Sequence, residues 1–85
     1  MHESRLVRDL VTRAQTEAGG APVTRMVLRL GALSPVSPAA LEQAIVDRTS
    51  LEWGRAPAVD IELSQDPADV RALDVVLVSI GIGSL

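Results

Sequence analysis

VTRMVLRLGALSPVSPAALEQAIVDR, residues 23–48, decides the fold. Along its first eight residues Thr24, Met26, Leu28 and Leu30 fall on one side and Val23, Arg25, Val27 and Arg29 on the other. That two-residue period is the signature of a β-strand, and the paired arginines make one of its faces at least partly wet. Gly31 ends the strand. Ser37 then offers a side-chain oxygen to cap a helix, and Pro38 suits its first position, where an N–H would have no partner anyway. Leu41, Ala44, Ile45 and Arg48 form a short inward stripe, and residues 49–57, with Gly54 and Pro57, read as a connecting loop. Val59, Ile61 and Leu63 then alternate with Asp60 and Glu62 as a one-sided strand. Two strands joined through a helix should run parallel, with a right-handed crossover.

Working outward from this unit, residues 4–18 have a helical period. Leu6, Val7, Leu10, Val11, Ala14 and Ala18 recur on one side, and Gly19-Gly20 followed by Pro22 stops the helix. Residues 64–73, SQDPADVRAL, read as a turn or a helix of one to two turns capped by Asp66. The last element, residues 74–82, is apolar on both faces, with Val76, Val78, Ile80 and Ile82 set against Val75 and Leu77. Such a strand is expected to be central, or to pair across a partner chain. The sum is an α/β fold, a small two-layer sandwich with two main helices on one face of a roughly three-stranded mixed sheet. One domain, residues 1–85, is expected.

Composition narrows the function classes. Of 85 residues 47% are hydrophobic, yet Trp53 is the single aromatic, so the core must be built from branched aliphatic side chains. The net charge is −3, every cation is an arginine, and no basic cluster or stacking aromatics suggest a nucleic-acid partner. The absence of cysteine excludes disulfides and thiolate metal sites. No apolar run approaches the ~18 residues of a membrane span, and no secretory signal is evident, so the cytoplasm is the expected location.

Enzymatic signatures are nearly absent, and a non-enzyme is expected. There is no G-x-S-x-G elbow, no phosphate-binding G-x-x-x-x-G-K-[ST], and no lysine at all. The carboxylate pairs Asp66 with Asp69 and Asp60 with Glu62 read as a cap with first-turn charge and as a solvated strand face.

One chemical feature stands out. The only histidine, His2, lies beside the α-amino group in the opening MHE. The Met1 amine, the ionised amide nitrogen of His2 and its imidazole form two fused chelate rings. Three coplanar nitrogens suit Ni(II) or Cu(II), which accept square-planar surroundings. Glu3 is either a further ligand or a cap for the first helix. The bulky second residue favours retention of Met1.

The chain resembles the HypA/HybF family of hydrogenase maturation proteins, which deliver nickel. The family begins M-H-E and continues into an amphipathic helix, as Met1, His2 and Glu3 do here. In RLGALSPVSPAALEQA, residues 29–44, Gly31, Leu33, Ser34, Val36, Pro38 and Leu41 stand where the family pattern has them. TSLEWGRAPAVDIEL, residues 49–63, is similar to the family's threonine–glycine loop and following strand, and VVLVSIGI, residues 75–82, to its closing strand. The resemblance implies a nickel site at Met1, His2 and Glu3, and handover to a hydrogenase large subunit or a partner GTPase chaperone. It also shows departures. The family carries a zinc subdomain with paired Cys-x-x-Cys motifs where residues 64–73 stand here, so no zinc of that kind is expected. Gln43, Ile45 and Val46 replace a stretch usually holding Phe and Glu, and Arg5 replaces a small residue. The alternative is an interaction or assembly domain that keeps the fold without metal handling, self-associating through its last strand.

Overall fold

The computed structural model describes the backbone of residues 2–83 and the side chains of residues 5–83. Helix α1 spans His2–Ala18, strand β1 Val23–Leu30, helix α2 Pro38–Trp53, strand β2 Ala58–Leu63 and strand β3 Val75–Ile82. The sheet has the order β2-β1-β3, with β1 parallel to β2 and antiparallel to β3. Both helices pack on the same face, and the α/β two-layer sandwich follows.

The core is aliphatic, as the composition requires. Met26 and Leu28 from β1, Leu41 and Ile45 from α2, and Val11 and Ala14 from α1 are essentially without solvent contact. Val59 and Ile61 pack from β2 and Val75, Leu77 and Ile80 from β3. A core lacking large aromatics gains its cohesion from many branched contacts, so each lost methyl group leaves a gap that its neighbours only partly close.

Three boundaries differ from the sequence reading, each for a physical reason. Helix α2 runs on to Trp53 and takes in residues expected to be a loop. Thr49 is fully buried there, because its hydroxyl donates to the Ile45 carbonyl oxygen at 2.7 Å and so brings no unsatisfied polar group into the core. The helix ends at Gly54, whose φ of 73° is a left-handed cap that a side chain would strain. Helix α1 begins at His2, two residues before the apolar period starts. In β1 the inward face starts only at Met26: Thr24 is exposed while Val23 packs against the core, next to a register shift against β3.

Of the two expectations for residues 74–82, a central strand or one that pairs across a partner chain, the first is overturned. The central strand is β1, and β3 lies at an edge. A strand carrying two arginines can sit in the middle because β2 answers both: Arg25 pairs with Asp60, and Arg29 with Glu62 at 3.3 Å. The same pairs account for Asp60 and Glu62 as a charged strand face. On β3 an irregularity sets Val27 opposite Ser79 but Leu28 opposite Leu77, leaving Val78 without a partner on β1.

Residues 64–74 form turns rather than a helix. Asp66 accepts from the Ala68 N–H at 3.0 Å and Asp69 from the Arg71 N–H at 2.9 Å, so both carboxylates serve local turns. This strap crosses the end of β1. Ser64 donates to Leu30, Gly31 to Asp74 and Leu33 to Ala72, at 2.9, 2.9 and 2.7 Å between backbone atoms. A Cβ on Gly31 would stand 2.2 Å from the Ala72 carbonyl oxygen, so glycine is what lets the strap lie this close.

Candidate metal centre at the amino terminus

Helix α1 is held by Val7, Leu10, Val11, Ala14 and Ala18, all buried against the sheet and α2. That anchoring fixes where its first turn emerges, at the end of the sheet where β1 stops and β3 starts. His2 and Glu3 belong to this turn. Met1 and the side chains of His2 and Glu3, the expected ligands, lie outside the described residues, so their convergence is not part of the described geometry.

The backbone of the first turn has a chemical consequence. The leading amides of a helix have no carbonyl four residues earlier to bond. An amide at position 2 can therefore lose its proton to a metal without breaking a helical hydrogen bond. The helix dipole places positive potential at the same spot, which opposes a bare cation and favours a site that brings its own negative charge.

Leu6, one turn into α1, lines an open groove of about 510 Å³ with Ser34, Val36, Arg71, Leu73 and Asp74. Its walls are the loop after β1 and the strap before β3. Ser34 accepts from the Val36 N–H at 3.3 Å and holds the loop in a tight turn. Leu33, Leu73 and Val70 stand out along the two loops, Val70 at 97% exposure. These residues were not readable as neighbours of the amino terminus. The sole hint was the density of Ser and Pro between Gly31 and Pro38, which marks a loop but not what it faces.

Elsewhere the described residues contain no group of three or more His, Cys, Asp or Glu able to hold a metal ion. None of the described helices is long and apolar enough to cross a membrane. No protein-family model matches the chain, and no curated protein is recognisably similar to it.

Proposed function

We propose that the chain is a nickel-binding metallochaperone-like protein of the HypA/HybF kind, reduced to its nickel-binding lobe and acting in the cytoplasm. Ni(II) is held by the Met1 amine, the ionised amide nitrogen and imidazole of His2, and an oxygen or amide nitrogen of Glu3. Cu(II) fills the same chelate in vitro, since it stands above nickel in intrinsic affinity. The observation that carries this reading is the MHE sequence leading straight into a helix whose first residue is His2. The first-turn amide is unencumbered, and the ionised amide with the Glu3 carboxylate supplies the negative charge the helix end requires. The groove beside Leu6, with exposed Leu73 in its lining, offers a client a surface next to the metal. By resemblance that client is a hydrogenase large subunit or a GTPase chaperone.

The test is calorimetric titration of Ni(II) into protein whose first residue is Met1, into His2→Ala, and into protein with one residue added before Met1. Loss of binding in both variants is expected. Equal affinity across the three rejects the chelate. Uptake should rise with pH, because both the imidazole and the amide must shed protons to bind.

A second reading, an assembly domain without metal handling, is favoured by the free edge of β3. That strand carries no charge from Val75 to Ile82, whereas the β2 edge is guarded by Asp60 and Glu62. Sedimentation that gives a monomer at every concentration disposes of its self-associating form.

A further inference from the structure

At the end of the sheet opposite the amino terminus, where β1 and β2 begin, a second opening of about 600 Å³ lies between the ends of the two helices. Its apolar wall includes Pro22, Val23 and Ala58, and its polar groups include Gln15, Trp53 and Arg55. No acidic residue lines it. Arg8, Arg13, Arg25, Arg29, Arg48 and Arg71 each lie within 4.0 Å of a carboxylate, whereas Arg5, at the far end of the molecule, and Arg55 have no such partner among the described residues.

The indole N–H of Trp53 is likewise buried without an acceptor among the described residues. Arg48 Nε, the other buried nitrogen without hydrogen-bond geometry, has Glu52 at 2.5 Å to answer its charge. A buried donor left unpaired is costly, and an oxygen brought by a ligand would remove that cost. The ends of α1 and α2 contribute partial negative charge here, which opposes an anion. The last turn of α1 is closed, however, by Gly19 donating to Thr16 and Ala21 donating to Ala18, and α2 turns away at the left-handed Gly54. The full charge of Arg55 then dominates.

We infer that this cleft binds a small amphiphilic monoanion, a carboxylate on a short unbranched apolar tail. The carboxylate lies between the Arg55 guanidinium and the Trp53 indole, and the tail lies along Pro22, Val23 and Ala58. The inference is independent of the nickel site, which lies at the other end of the sheet.

Trp53 is the protein's one aromatic residue, so intrinsic fluorescence reports this cleft alone. Octanoate titrated into the full chain should change the emission saturably. Both 1-octanol and the cation octylamine should bind about tenfold more weakly or not at all, and Arg55→Gln should weaken octanoate by a similar factor. Arg55 is exposed, so this variant should fold as the parent does. Calorimetry of octanoate on Trp53→Phe, which lacks the indole N–H, should show a further loss. An absent or non-saturable response to octanoate overturns the proposal. So does equal binding of octanoate and octanol, or equal binding by the parent and Arg55→Gln.

Discussion

The two faces of the β-sheet are built on opposite terms. Toward the helices, Met26, Leu28, Leu41 and Ile45 exclude solvent almost completely and interlock, three branched aliphatics around one flexible thioether. Away from them, Arg25 with Asp60 and Arg29 with Glu62 lie across β1 and β2 with side chains roughly half exposed. One face removes apolar area from water, worth about 25 cal/mol per Å². The other holds charges that water already solvates, and exposed pairs of that kind are worth at most about 1 kcal/mol. The fold should therefore tolerate almost anything on its open face and very little beneath the helices. Yet the open face does one job the other cannot. It lets an arginine-bearing strand sit in the middle of the sheet.

The contrast can be broken first at its strong side. Ile45→Ala should cost about 2–5 kcal/mol in urea unfolding, because Ile45 is fully buried in a core with no flexible aromatic to fill the gap. A cost below about 1 kcal/mol would mean that the helical layer is loosely packed. Next comes Gly31→Ala, which drives a methyl group against the Ala72 carbonyl. Forcing the strap away should cost about 1–3 kcal/mol, with amide shifts concentrated in residues 69–74. Thr49→Val should change stability by no more than about 1 kcal/mol, since the removed hydroxyl leaves no carbonyl without its helical N–H. At the weak end, a double-mutant cycle on Arg29 and Glu62 should return about 0–1 kcal/mol, falling further in high salt. A coupling well above that would show the open face to be covered in solution.

The buried face was also the legible one. Alternation of Met26, Leu28 and Leu30 with Arg25 and Arg29 identified β1, and Ser37-Pro38 located the start of α2 to the residue. What could not be read was strand order, because the two-sided apolar pattern of residues 74–82 pointed to a central strand, and nothing local shows Asp60 and Glu62 reaching the arginines of β1. The end of α2 was missed for a similar reason. Thr49 has weak helical preference, and only the tertiary setting shows its hydroxyl bonded back to Ile45. At the amino terminus the residue types are what motivates the proposed chelate, while the strap and loop beside Leu6 belong to distant parts of the chain. The Trp53 cleft left no motif, since its lining comes from two stretches far apart in the chain, residues 15–24 and 53–58.

Ser64 and Asp74 are both tied by their backbones to the end of β1, Ser64 to its last residue Leu30 and Asp74 to the following Gly31. Entry to and exit from the intervening stretch are thus clamped side by side, with Leu33 donating to Ala72 as a further tie near its end. Residues added among the exposed positions 65–70, between these anchors, should therefore leave the register of the sheet unchanged.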